Sequence, residues 1–227
     1  MSRGRRIARI KLVPPSPEAA QDYLLEWDNQ ALYHSPHTFP KLTSKNLFDA
    51  AQPMVLEVGC GTGEFLLELA QSRPAERFLG VEISRRTIYH AVNQVEKLSL
   101  RNVKFIKADI KLLYPLMAPC TWTAVHLNFP DPNYGAGRRK HRIFSSDFLD
   151  ACAISLTPMG KISVVTDHFN FLEDMLQIAE SDERFEKTHR SRYIEGRWNG
   201  VKTRFQSAWE RLERPVYRFE LVPTAAE

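Results

Sequence analysis

The chain has 227 residues, 43% apolar and 26% charged, which is the composition of a soluble globular protein long enough to bury a large core. It has no apolar run near the roughly 18 residues of a membrane-spanning helix, and its Arg-rich start lacks the apolar stretch of a secretory signal. Three cysteines, Cys60, Cys120 and Cys152, form no CxxC pair, which excludes a disulfide framework or zinc knuckle and fits a reducing, cytoplasmic setting, although an acid-free start also suits an organellar leader.

The formal charge of +4, from 31 Lys and Arg against 27 Asp and Glu, is unevenly spread. Arg3, Arg5, Arg6, Arg9 and Lys11 open the chain with no acid among them; Arg138, Arg139, Lys140 and Arg142 form a second cluster; and residues 184 to 218 carry ten basic side chains against four acidic ones. The remainder is net acidic, and the pattern points to a polyanionic partner.

Residues 1–17 read as an extended basic arm, because Pro14, Pro15 and Pro17 resist helix and central strand. A single domain follows over 18–227, and residues 18 to 52 show no assignable pattern. His34 and His37 form an HxxH without a convincing third ligand, so no metal is expected. Met54 to Val58 is a short buried-strand signal leading into glycines, and Phe65, Leu66, Leu69 and Ala70 then recur at helical spacing. Arg77 to Ile83 reads as a strand, Ser84 as the N-cap of a helix to about Leu98, and Val103 to Ala108 as a third strand. Thr121 to Phe129 is a fourth strand, Phe148 to Leu156 a helix, Lys161 to Thr166 a fifth strand, and Val216 to Val222 a late antiparallel edge strand. The alternation predicts an α/β fold, a mostly parallel central sheet with helices on both faces.

Ligands of open α/β sheets bind at the carboxyl ends of strands, and four acids fall at such ends: Glu57, Glu82, Asp109 and Asp131. The first turn is Glu57-Val-Gly59-Cys-Gly61-Thr-Gly63-Glu64. Its GxGxG spacing puts Glu64 where a dinucleotide fingerprint needs its third glycine, and no Lys-Ser/Thr pair makes it a phosphate loop. Asp131 sits in Asn128-Phe129-Pro130-Asp131-Pro132, whose two prolines would hold it in one orientation.

The E-x-G-x-G-x-G turn resembles motif I of class I S-adenosylmethionine-dependent methyltransferases, which implies a Rossmann-like fold and S-adenosylmethionine as cofactor. The resemblance implies that Glu57, Gly59, Gly61 and Gly63 meet the methionine part, Glu82 accepts from both ribose hydroxyls, and Ala108 and Asp109 lie near the adenine. Asp131 would lie over the cleft. F-P-D-P after the fourth strand followed by a basic loop, Thr166-Asp167 after the fifth, and Thr203-Arg-Phe205-Gln206 together resemble the bacterial tRNA (guanine-N7-)-methyltransferase family over roughly residues 54 to 219. That implies tRNA as partner and N7 of guanine 46 in its variable loop as target, with the enzyme acting as a monomer or homodimer. Asp131 would position the guanine, Asp167, Thr203 and Gln206 would complete the substrate site, Tyr134 would stack on an extruded base, and Arg138, Arg139, Lys140 and Arg142 would contact phosphates. Trp198 and Trp209 read as core or cap residues.

The chain departs from the family twice. Asn133-Tyr134-Gly135-Ala136-Gly137 replaces a Trp and the first lysine after F-P-D-P, and Gln206 stands where the family has Glu. The same motif I and Glu82 also suit a class I methyltransferase for another RNA base, a protein or a small molecule, or a non-catalytic RNA-binding subunit.

Overall fold

The structure, a computed structural model, describes residues 10–133, 137–196 and 200–224. Residues 10 to 16 lie without regular structure against a later helix, where Asn93 Nδ2 donates to the Val13 carbonyl at 3.0 Å and Ser16 Oγ donates to Glu96 at 2.8 Å. Pro17, expected as the last residue of the arm, instead begins a helix. Ser16 caps α1 (Pro17–Tyr23) by accepting the Ala19 N–H at 3.0 Å, and Pro17 takes a first-turn position where its missing N–H forfeits no bond. Arg3, Arg5, Arg6 and Arg9 lie outside the described residues.

The unassigned stretch folds as β1 (Leu24–Glu26), α2 (Asn29–His34) and α3 (Ser44–Phe48). Then follow β2 (Met54–Val58), α4 (Glu64–Ser72), β3 (Arg77–Glu82), α5 (Arg85–Lys97), β4 (Val103–Lys107), α6 (Ile110–Leu113) and β5 (Trp122–Asn128). The last part holds α7 (Ser146–Ser155), β6 (Leu156–Thr166), α8 (Phe169–Glu180), β7 (Phe185–Lys187), β8 (Ile194–Glu195), α9 (Arg204–Arg211) and β9 (Tyr217–Pro223). The sheet order is β1-β4-β3-β2-β5-β6-β9-β7, with β8 also on β9. Pairs among β1 to β6 are parallel, and β9 runs antiparallel to β6, β7 and β8.

The late strand is thus antiparallel as expected but not an edge. β7 and β8, too short to announce themselves in sequence, pair along its far side. β1 is a further strand from the unassigned stretch, parallel to β4 in the register Leu24 to Phe105.

Every residue of β2 is buried, and its side chains alternate between two cores. Met54, Leu56 and Val58 join one with Leu113, Phe148, Phe171 and Leu172, on the face covered by α6, α7 and α8. Val55 joins the other with Leu66, Ile88, Val92 and Val95, under α4 and α5. Glu57 points to that second face from the middle of an apolar sheet. The chain leaves β2 toward β3 and β4 on one side and returns to β5 and β6 on the other, which makes the β2/β5 boundary the switch point where a crevice opens.

Candidate active site

The turn after β2 is folded over β3: the N–H groups of Gly59 and Cys60 both donate to the Val81 carbonyl, at 2.8 and 3.1 Å. Gly59 and Gly61 have φ of +70° and +56°, and a Cβ on either would meet nothing within 4 Å, so both present bare backbone to open space. Gly63 does different work. Its Cβ would come within 2.9 Å of Ala91 Cβ, so the missing side chain lets α4 lie close against α5.

Glu82 ends β3 with both oxygens oriented by backbone: Oε2 accepts the Gly61 N–H at 2.9 Å and Oε1 the Ser84 N–H at 2.8 Å. A carboxylate oxygen accepts more than one bond, so this bracing leaves capacity for two hydroxyls. Beside it Ile83 is 62% exposed, an apolar surface at the crevice that sequence reading missed because it looked like the last residue of a buried strand. Asp109 caps α6 through Oδ1 to the Lys111 N–H at 3.0 Å. Ala108 is buried and gives its N–H to the Glu82 carbonyl at 3.2 Å, so it joins the strand ends rather than offering a free contact.

Glu57 is 2% exposed, and Asn128 Nδ2, across the switch point on β5, donates to its Oε1 at 2.9 Å. Its Oε2 is buried and has no hydrogen-bond partner among the described residues. Burial pushes this carboxyl up to about 8; the Asn128 bond opposes the rise, and the charges of Glu64 and Glu82 add to it. His126 pairs in register with Glu57 and packs edge-on against Phe65 at 5.0 Å. Burial pushes its imidazole down to about 3, which makes it a poor base.

Beyond β5 the backbone turns sharply, with Phe129 at φ +50° and its N–H held by the Val165 carbonyl at 2.7 Å. Asp131 is exposed, and its Oδ1 accepts the Asn133 N–H at 2.9 Å in a tight local turn. Arg138, Arg139 and Lys140 are exposed, and Lys111 Nζ on α6 donates to the Lys140 carbonyl at 2.8 Å, adding a cation to that rim.

Arg142 departs from the expectation of a phosphate contact. It is 9% exposed, its Nε donates to the Pro132 carbonyl at 2.7 Å, its Nη1 pairs with Asp174 on α8 at 2.7 Å, and its guanidinium lies 4.6 Å from the Phe171 ring. This arginine ties the F-P-D-P loop to the domain. The outward cations are its neighbours; the clue in sequence was the apolar pair Ile143-Phe144 that follows it and anchors its end of the loop.

At the end of β6, Asp167 accepts the Trp209 indole N–H through Oδ2 at 2.8 Å. Thr203 caps α9 with its hydroxyl on the Gln206 N–H at 2.9 Å. Gln206 is 4% exposed and its Nε2 donates to Glu210 at 3.1 Å, so its amide is engaged within its own helix instead of lining an open wall as expected. Phe205 packs against Phe129 with centroids 4.7 Å apart and the rings tilted by 60°, which brings α9 against the F-P-D-P loop. Tyr134 and Trp198 lie outside the described residues. Among the described residues no three His, Cys, Asp or Glu side chains gather as a metal site would, and no helix is long and apolar enough to cross a membrane.

A sequence profile described as a putative methyltransferase matches residues 51–219. The tRNA (guanine-N(7)-)-methyltransferase of Rubrobacter xylanophilus is 42% identical over 218 residues, covering 96% of this chain and 98% of that protein. The chain belongs to that family. The enzyme of the same name from Chloroherpeton thalassium is 34% identical over 97% of both chains. Among solved structures, TrmN from Thermus thermophilus superposes with a TM-score of 0.54 at 20% identity, over 79% of this chain and 47% of that one, about half its length. The precorrin-6y C5,15-methyltransferase of Geobacter metallireducens gives 0.51 at 16% identity over 78% and 83%. These two likenesses carry the class I methyltransferase fold.

S-adenosylmethionine, the cofactor of this family, fits the crevice. The open space over Gly59 and Gly61 is a cradle that a Cβ would fill, the braced Glu82 carboxylate suits two ribose hydroxyls beside the apolar Ile83, and Oε2 of Glu57 is a buried polar atom that has no hydrogen-bond partner among the described residues.

Proposed function

We propose that this chain methylates N7 of a guanine in tRNA, at position 46 of the variable loop, using S-adenosylmethionine. The observation that carries the reading is the 42% identity over nearly the full length to a protein named for that reaction. The site's chemistry agrees with it. Bound against Gly59, Gly61, Glu82 and Asp109, the cofactor supplies an electrophilic methyl group. Guanine N7 is a bare lone pair with no proton to lose, so the site needs no general base, and the buried His126 beside Glu57 is a poor one.

What the chain must supply is alignment, an effect worth on the order of 7–11 kcal/mol in well-oriented reactions. Asp131, kept in place by its turn to Asn133, would accept from guanine N1–H and the exocyclic amine, and its charge would favour the positive ring that forms. Asp167 would act from the end of the neighbouring strand. Thr203 would serve as the cap that starts α9 beside it. Tyr134 keeps its proposed role as a stacking residue for an extruded base. The exposed Arg138, Arg139 and Lys140, with Lys111, and the N-terminal arm would contact phosphates.

The test is incubation with labelled S-adenosylmethionine and unmodified tRNA, followed by cleavage specific for 7-methylguanosine. A single cut at position 46 is expected. Label at any other nucleoside overturns the target, and absence of label overturns the enzyme.

A further inference from the structure

Trp209 lies on α9 one turn beyond Phe205, and its indole Nε1–H reaches Asp167 Oδ2 at 2.8 Å. The ring overlies Phe205 with centroids 4.3 Å apart and 32° between planes. Phe205 in turn packs against Phe129 at 4.7 Å. The Arg214 guanidinium sits 4.8 Å from the Trp209 ring, and the Arg214 N–H donates to the Trp209 carbonyl at 3.0 Å. One continuous column therefore runs from Arg214 to Phe129, two residues before Asp131, and touches Asp167 on the way.

We propose that Trp209 is a positioning residue for the substrate. It turns the Asp167 carboxylate and, through Phe205 and Phe129, holds that carboxylate at a set distance from the Asp131 loop. This rests on the reading of Asp167 as a group that touches the target guanine.

The choice of side chain is what makes the arrangement informative. An indole N–H is a donor only and carries no charge. It occupies one oxygen of Asp167 and fixes the plane of the carboxylate, yet leaves the negative charge uncancelled for the donor edge of a base. Lysine or arginine in that place would orient the group equally well and neutralise it. The ring that carries the N–H is itself immobilised on two sides, so the bond does not have to hold it.

The test is a double-mutant cycle with Trp209→Phe, Asp167→Ala and both changes together, assayed with unmodified tRNA at saturating S-adenosylmethionine. Trp209→Phe keeps an aromatic ring on Phe205 while losing the donor and one of the two fused rings. It should raise KM for tRNA about 5- to 20-fold, change kcat by less than about threefold and leave cofactor affinity alone. Asp167→Ala should raise KM at least as much, and the double variant should be no worse than Asp167→Ala. If the two increases multiply, Trp209 acts independently of Asp167 and the proposal is wrong, while the role of Asp167 stands. If Asp167→Ala binds and methylates tRNA like the unaltered protein, the role of Asp167 falls and that of Trp209 with it. Should Trp209→Phe fail to fold, the indole ¹⁵N–H resonance that moves on Asp167→Ala, and again when tRNA is added to the unaltered protein, supplies the same answer. No movement in either case overturns the proposal.

Discussion

Replacing Arg142 with alanine separates an inward role from an outward one. The guanidinium is almost wholly enclosed, and alanine would remove the bond to the Pro132 carbonyl, the pair with Asp174 and the contact with Phe171. A hydrogen bond from a charged donor contributes about 1.5–3 kcal/mol, and a cation over an aromatic ring about 0.5–2 kcal/mol. The Asp174 side chain is 32% exposed, so water would partly replace its lost partner and that pair counts at the low end. The sum is a destabilisation of about 3–6 kcal/mol, or roughly 6–24 °C in Tm for a chain of this size. Urea denaturation measures the first, and a thermal scan the second. Freed from Arg142, the Pro132 carbonyl no longer fixes the loop bearing Asp131, so kcat should fall by at least tenfold at temperatures where the variant is folded. The salt dependence of tRNA binding should not change. A loss of stability below about 1 kcal/mol, together with a log–log salt slope shallower by about 0.7–0.9, is the signature of one lost phosphate contact and would refute the inward assignment.

Changing both Arg138 and Arg139 to alanine should do the reverse, flattening the salt slope by roughly 1.4–1.8 with Tm and S-adenosylmethionine affinity unaltered, as read by filter binding, thermal scan and calorimetry. Gly61→Ala projects its methyl into the open crevice and should abolish measurable cofactor binding at a stability cost of about 1–2 kcal/mol for its positive φ; Gly63→Ala, driven against Ala91, should lower stability by more than Gly61→Ala does. For Glu57, whose carboxyl rises from 4.5 to about 8 on folding, the folded protein keeps a proton that the unfolded chain releases. Its contribution to stability is therefore complete below pH 4.5 and is lost as pH climbs toward 8. Glu57→Gln should remove that slope, so that the variant gains on the unaltered protein steadily from pH 5 to 8 in the absence of cofactor; parallel Tm curves would dispose of the buried-proton account.

The parallel core of the sheet was legible because β2, β3 and β4 carry apolar residues closed by an acid or glycine and β5 runs into Pro130-Asp131, and each was bounded to within two residues of its place. The stretch from 18 to 52 was not, because α1, β1, α2 and α3 are short elements that owe their form to neighbours, such as β4 beside β1, more than to any internal period. The glycine turn was readable as a turn, yet only the fold separates Gly59 and Gly61, which face open space, from Gly63, which faces Ala91. A run of arginines likewise does not disclose which member turns inward, and the donor role of Trp209 depends on a residue 42 positions away.

The order in which the chain is made has a consequence for β9. A ribosome delivers the cradle and Glu82 early, and the crevice side of the sheet is complete once β5 has emerged. The far half must wait. Until β9 arrives, β6 presents an unpaired apolar edge, β7 and β8 have no partner, and Asp167 has no Trp209. The nascent chain can thus acquire the glycine cradle and Glu82 well before β6 gains its second neighbour, and a chain that stops short of β9 is left with a sticky sheet edge.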